Sequence, residues 1–431
     1  MNRESEENLH LSFGISQDVQ EYISTTEASL TDVFSDINAI ESYNQAKVLA
    51  AFQKERIAAH HFAPSTGYGY GDIGRDALSR VFAHALDAED ALVRPHFVSG
   101  THAIFTALVG LLEHGDTMLS ITSAPYDTLE NAIGSVNDCH GSLVRQGIRY
   151  EQIDLNKNGY MDLDAIAEKL ERTQYKVVYM QRSRGYAWRN SISIEEMQKA
   201  IKLVKSISPK SIVLADNCYG EFTQRHEPTY IGADVIVGSL IKNPGGGIAP
   251  TGGYIVGGKE YIELISHRMT VPGMGIEVGS YAASYRPFFQ GLFLAPHTTS
   301  EALKTAALFT KTFESVGFET ASRSGDAASD IVQAIRFRNK KSLIAFCQSI
   351  QRISPVDSFL TPEPWDMPGY THKVIMASGS FIQGSSIELS ADAPIKEPFI
   401  AYVQGALTFP HGRLGVMAAL QAMVDLGEVK V

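Results

Sequence analysis

From Ala91 to Gly257 the chain alternates two kinds of pattern. Short, nearly continuous apolar runs, "ALVRPHFV", "TMLSI", "RYEQID", "KVVYMQ", "SIVLAD", "DVIVGS" and "GGYIVG", predict strands. Between them, apolar positions recur every three to four residues in "THAIFTALVGLLEH", "DLDAIAEKLERT" and "SIEEMQKAIKLVKSI", which predicts helices. Strands apolar along their whole length, alternating with helices, predict an α/β fold: a mostly parallel, seven-stranded sheet covered on both faces. Residues 1–60 read as helical and polar, an arm with little core of its own. The pattern changes again near Met274. A long helical stretch from Ser280 to Val316 precedes shorter strands in "DIVQAIRF" and "SFIQGSSIELSA". The expected division is an arm at 1–60, a large α/β domain at 61–272 and a smaller α+β C-terminal domain at 273–431.

Composition narrows the class without changing this picture. With 431 residues, 44% of them apolar and 20% charged, the chain has the material for two or three packed units and little reason to be disordered. A net charge of -11 gives no electrostatic footprint for nucleic acid or an anionic membrane. The first residues have no apolar signal-peptide core, and Cys139, Cys218 and Cys347 have no metal-ligand spacing. The expectation is a cytoplasmic protein without a disulfide framework.

In open α/β sheets ligands sit beyond the carboxyl ends of the strands. Four segments there attract attention. "SGTHAI" opens a helix, so Gly100 and Thr101 present backbone N–H groups to an anion. Tyr126 starts another helix, where its ring can stack on a ligand. Asp216 ends "SIVLAD" and can pair with a cation. Lys242 follows Ser239 by three residues and leads into "NPGGGIAPTGG", which leaves space rather than a packing surface. Taken singly, each has a plainer reading: a capped turn, a packed surface tyrosine, a capping carboxylate, a lysine that snorkels to water. Together they match one molecule. An amine in a pocket near other cations can act as a nucleophile toward a carbonyl. Pyridoxal phosphate supplies that carbonyl, a phosphate, a ring to stack on and a nitrogen that needs a carboxylate.

The phrases "YGYGDIGRD", "SGTHAI", "DNCYGEF", "GSLIKNPGGGIAPTGGYIVG" and "FIQGSSIELSADAPIKEPFIAYVQGALTFPHGRLGVM" span most of the chain. In them the sequence resembles the pyridoxal-phosphate-dependent lyases of Cys/Met metabolism, with the aspartate-aminotransferase fold (fold type I). It is most similar to the aluminium-resistance or methionine gamma-lyase-like branch. The resemblance implies a carbon–sulfur lyase that performs β- or γ-elimination on a sulfur-containing amino acid such as cystathionine or methionine. It implies that Lys242 carries the cofactor, and that Ser239 with the backbone of Gly100 and Thr101 binds its phosphate. Tyr126 stacks on the ring and Asp216 holds the ring nitrogen. Tyr70 falls where the family has a tyrosine that reaches into a neighbouring subunit's site, which implies a homodimer or homotetramer. Arg413 and Arg184 are candidates to clamp the substrate carboxylate. Transamination on the same cofactor, and binding without turnover in a stress-response role, are the alternatives.

The chain departs from the larger family at several points. Ile241 stands where a hydroxyl residue precedes the lysine, Asp72 where an arginine follows the tyrosine, and "QRSRGY" (Gln181 to Tyr186) replaces an acid-plus-asparagine strand tip. Arg75 is the candidate to replace the missing arginine. Two patterns are set aside. "GYGDIG" matches G-x-G-x-x-G but follows no convincing strand, and His60 and His61 are adjacent, without zinc-ligand spacing.

Overall fold

The computed structural model describes residues 10–137, 139–321, 328–367 and 372–431. Helices α1 (Gln17–Ala28), α2 (Thr31–Lys54) and α3 (Ile73–Ala85) come first. Then follow β1 (Asp90–Arg94), α4 (Gly100–Leu111), β2 (Thr117–Ser120), α5 (Asp127–Ile133), β3 (Arg149–Gln152), α6 (Leu163–Arg172), β4 (Val177–Gln181), α7 (Ile194–Ile207), β5 (Ile212–Asp216), β6 (Val235–Ser239) and β7 (Gly253–Gly257). Helices α8 (Lys259–Met269) and α9 (Arg286–Ser315) lead to β8 (Glu319–Thr320), β9 (Val332–Arg336), α10 (Lys340–Ile353), β10 (Val374–Ala377), β11 (Ser390–Pro394), β12 (Ile400–Gln404) and α11 (Phe409–Asp425).

Two compact units result. The larger comprises Tyr43–Ala187 and Ser191–Pro296. Its seven strands lie in the order β1-β7-β6-β5-β4-β2-β3. β7 runs antiparallel to both neighbours, and every other pair is parallel. The apolar runs are continuous because the sheet has a core on each face. Val178, Met180, Val213, Ala215, Ile236 and Tyr254 join one core. Val177, Tyr179, Leu214, Val235, Val237 and Ile255 join the other. The edge strand β3 is the exception: none of its residues is fully buried, as suits an edge that must not template further pairing.

The smaller unit comprises 1–42, Trp188–Asn190 and His297–Val431. Its five strands, β10-β11-β12-β9-β8, are all antiparallel. Phe346 and Ile350 of α10 and Val416, Met417 and Leu420 of α11 pack in a single core with the sheet.

The units divide at 42/43 and 296/297, not at the expected 60 and 272. The first forty residues join the C-terminal unit because their apolar side chains are buried there. Ile15, Val19, Ile23 and Leu30 enter its core, and the Ser16 N–H donates to Gln421 at 2.9 Å. The second division falls just after Pro296, inside α9, where a proline removes a helix hydrogen bond. The strand expected over "SFIQGSSIELSA" begins only at Ser390. The Glu388 carboxylate accepts the N–H groups of Phe381 and Ile382 at 2.8 and 3.0 Å, which folds residues 381–388 into turns instead.

Candidate active site

The strand tips of the larger unit hold the groups singled out in the sequence. β5 ends at Asp216, whose side chain emerges on the same face as Leu214. The carboxyl is 2% exposed, and its Oδ1 accepts the Cys218 N–H at 3.0 Å. β6 ends at Ser239, which is buried and lies beside the first residue of α4. A Cβ on Gly100 would sit 3.1 Å from Ser239 Cβ and 3.7 Å from Cys218 Sγ, so only glycine leaves this corner open. Ser99 caps α4 by accepting the His102 N–H. Among the described residues the N–H groups of Gly100 and Thr101 have no acceptor. A hydroxyl, two free amides and the positive end of a helix therefore meet at one point, the arrangement an anion requires.

Tyr126 is the N-cap residue of α5. Its N–H donates to Gln181 Oε1 at 2.9 Å and its hydroxyl to Thr101 Oγ1 at 2.9 Å. The ring is thus fixed from β4 and tied to the start of α4. Burial, and then the charge of Asp216, push its phenol well above the ordinary range, so it stays protonated.

Lys242 lies three residues past the end of β6, its N–H directed to Ser239 O at 3.4 Å. Its Nζ sits 4.0 Å above the centre of the Tyr219 ring. Tyr219 holds a φ of 69°, a left-handed conformation uncommon outside glycine and a mark of a functional segment. The expected neighbouring cations are replaced by acidic groups. Enclosure alone favours the neutral amine, but Cys218, Tyr219, Asp216 and Tyr126 outweigh it and raise the proton affinity of Lys242. Burial pushes the Cys218 thiol up as well, so the full negative charge beside the ammonium is that of Asp216. Burial in turn pushes the Asp216 carboxyl up, and Lys242 pulls it back.

The glycines after Lys242 do not leave the space that the sequence suggested. Gly246 has a φ of 56°, and a Cβ there would strike Gly291 O; a Cβ on Gly245 would strike Leu240 O. The loop is glycine-rich because its backbone is pressed against other backbone, which fixes the position of Lys242.

Further expectations are corrected or refined. Arg75 is 1% exposed and already committed: to Asp76 at 2.8 Å, to Gly69 O at 2.9 Å and to Glu277 O at 3.4 Å. Through Nε and Nη1 it braces the Gly69 turn. Asp72 caps α3 and accepts Ser65 and Tyr285 hydroxyls. The glycines of "GYGDIG" make turns and, at Gly74, a close helix contact with His61 and Tyr285. Arg413 belongs to the smaller unit and pairs there with Glu27 at 2.6 Å and Ser24 at 2.9 Å. Arg184 is 3% exposed and lies beside Gly185, which approaches Gln181 and Tyr126 Cβ. Tyr70 is 67% exposed and faces Tyr68, with ring centres 5.6 Å apart. Among the described residues no group of three His, Cys, Asp or Glu is placed to hold a metal, and no helix is long and apolar enough to cross a membrane.

Sequence reasoning missed Tyr179, Cys218 and Tyr219. Tyr179 shares the Asp216 face of the sheet; its buried hydroxyl falls short of a hydrogen bond but faces that carboxylate. The motif "DNCYGEF" contains the other two, but only the turn geometry brings them to Lys242. The donor set fits pyridoxal phosphate: an amine, a buried carboxylate, an anchored phenol ring and an anion corner that a Cβ at Gly100 would fill.

Comparison with known proteins places the chain in a family. The methionine gamma-lyase family model matches residues 19–424. YnbB of Bacillus subtilis (strain 168), an uncharacterized protein, is 46% identical over 400 residues, covering 93% of this chain and 95% of its own. A carbon–sulfur lyase involved in aluminum resistance from Clostridium novyi NT is 49% identical, with a TM-score of 0.94 over 98% of this chain and 99% of that one. A candidate cystathionine beta-lyase involved in aluminum resistance from Clostridium acetobutylicum is 47% identical, with a TM-score of 0.95 over 98% and 100%. The larger sheet and the antiparallel C-terminal unit are those of a fold type I enzyme, and family membership implies pyridoxal phosphate as the cofactor. The chain belongs to the methionine gamma-lyase family.

Proposed function

We propose that the protein is a carbon–sulfur lyase that eliminates a thiol from a sulfur-containing amino acid such as cystathionine or methionine. The observation that carries this reading is the meeting of Lys242, Asp216 and the anchored Tyr126 at the strand tips beside the open corner at Gly100. Two solved relatives named as lyases support it, and they extend the reading to aluminium resistance.

Bound pyridoxal phosphate supplies an electron sink that stabilises negative charge at the substrate's α-carbon. Lys242 holds it covalently. Ser239 and the amides of Gly100 and Thr101 would hold the phosphate, Tyr126 would pack on the ring, and Asp216 would pair with a cationic ring nitrogen. That pairing neutralises the carboxylate, and Lys242 loses the charge that kept its amine protonated. Displaced by the substrate's amino group, Lys242 would be the base for the α-proton. Tyr126, protonated at neutral pH, is the acid for the departing sulfur. Arg184, buried next to Gly185 near Tyr126, and Arg413 are the candidates to clamp the substrate carboxylate.

The test is incubation with cystathionine, cysteine, homocysteine and methionine, with ammonia and free thiol assayed together. Equal amounts of both from any of the four are expected. Conversion of the cofactor to its amine form, reversed only by an added keto acid, would make the protein an aminotransferase and overturn the reading.

The exposed Tyr70 supports a second element of the proposal, a site completed by a neighbouring copy in a homodimer or homotetramer. Light scattering is expected to give at least a dimer, and a fully active monomer would remove this element.

A further inference from the structure

Glu221 follows Tyr219 by two residues and is 0% exposed. Its carboxyl lies on the opposite side of the sheet from Asp216. Gly238 and Tyr254 are partners across β6 and β7, and a Cβ on Gly238 would sit 2.6 Å from the Tyr254 hydroxyl and 2.7 Å from Glu221 Oε1. Tyr254 packs in the core that faces away from Asp216, and its hydroxyl donates to Glu221 Oε1 at 2.7 Å. Glu221 Oε2 is buried and has no hydrogen-bond partner. The backbone carbonyl of Glu221 accepts the Asn243 side-chain amide at 3.0 Å, and Asn243 is the residue directly after Lys242. The same short loop therefore reaches Lys242 at Tyr219, which lies under the amine, and its neighbour Asn243 at the Glu221 backbone carbonyl.

We infer that Glu221 is a positioning residue for Lys242, acting from the far face of the sheet and working only while its buried carboxyl is uncharged.

A carboxylate with one hydrogen bond and one bare oxygen is costly to bury, and the neutral acid is not. Burial pushes Glu221 up to about 8. The Tyr254 hydrogen bond and the residue's own backbone N–H lower it, Glu227 raises it and Lys242 lowers it. Glu227 is itself paired with Arg182, both fully buried, and Cys218 is the remaining titratable neighbour, uncharged because burial pushes its thiol up. Near neutral pH the site then holds one anion, Asp216, whose charge a bound cation can cancel. Ionisation of Glu221 adds a second anion that nothing cancels. It raises the proton affinity of Lys242 again and removes the free amine the reaction needs. The expected result is a loss of activity above about pH 8 that originates in Glu221.

This rests on Lys242 being the cofactor anchor. The test uses Glu221→Gln, which keeps the shape and cannot ionise, and Tyr254→Phe, which removes the donor that favours the ionised form. Three pH dependences are read: kcat/KM, the absorption spectrum of the bound cofactor, and the melting temperature of cofactor-free protein. A carboxyl raised in the folded state stabilises it most at low pH, and that contribution is lost as pH rises from the unfolded value toward about 8. The wild-type melting temperature should therefore fall across this window, and Glu221→Gln should flatten the fall. The alkaline limb of kcat/KM and the spectral transition should both move upward, by about one pH unit or more in Glu221→Gln, and upward in Tyr254→Phe as well. A variant pair that only lowers the melting temperature, with all three pH dependences unchanged, overturns the inference and leaves the lyase reading intact. A wild-type protein that binds no chromophore overturns both.

Discussion

Replacing Lys242 with alanine is expected to lower kcat/KM by about 10⁴-fold or more, since the change removes the covalent anchor and the base together. The arrangement leaves no understudy. Lys242 is the amine held over Tyr219, and the backbone packing of Gly245 and Gly246 sets where it stands. Borohydride reduction followed by peptide mapping checks the assignment independently of activity. The cofactor should be fixed to the peptide containing Lys242 in the wild type and to no peptide in Lys242→Ala. Labelling of that same peptide in the variant would show that the anchor lies elsewhere. Because Lys242 lies outside the hydrophobic core clusters of the described residues, the variant should remain folded, and circular dichroism verifies this.

Asp216→Asn carries the second large effect. The substitution keeps the shape and removes the charge. Loss of one preorganised charge at a reacting centre costs roughly 10²–10³-fold in kcat. Two consequences separate this role from that of a simple loop cap. Without the carboxylate, Lys242 loses its principal anionic neighbour, so its proton affinity in the cofactor-free protein should fall, which reductive methylation or a pH-dependent modification rate can read. Turnover should fall much more than substrate binding, giving a kcat effect with a smaller change in KM. If the Asp216→Asn protein retains near-native turnover, Asp216 serves only to receive the Cys218 N–H and close its turn.

The seven strands of the large sheet were legible because burial on both faces makes a strand apolar throughout, and that signal is local. Lys242, Asp216, Ser239, Tyr126 and the start of α4 were legible for a related reason. Each closes or follows a strand, and the topology of an open α/β sheet sends those points to one edge. Asp72 stands where the larger family has an arginine, and Arg75 is the sequence candidate to replace it; in the fold Asp72 caps α3 and Arg75 braces the Gly69 turn. Their partners, Tyr285, Glu277 and Ser65, are distant in the chain or carry no motif of their own.

What the sequence by itself determined is the order of elements and the residue types at the strand tips, because periodicity and strand ends are properties of neighbouring positions. Only the tertiary structure decided that the first forty residues belong with the C-terminal core, since Ile15 and Val19 find their apolar partners some three hundred residues away. It alone decided the charge around Lys242. The sequence suggested cations and the fold supplied Asp216, Cys218 and two tyrosines, because a left-handed turn at Tyr219 swings that loop beneath the amine. It alone placed Glu221 behind the sheet, where a missing Cβ at Gly238 admits its carboxyl beside Tyr254. Burial, proton affinity and the exclusion of a Cβ depend on atoms that meet in space, and these contacts join residues that no local pattern relates.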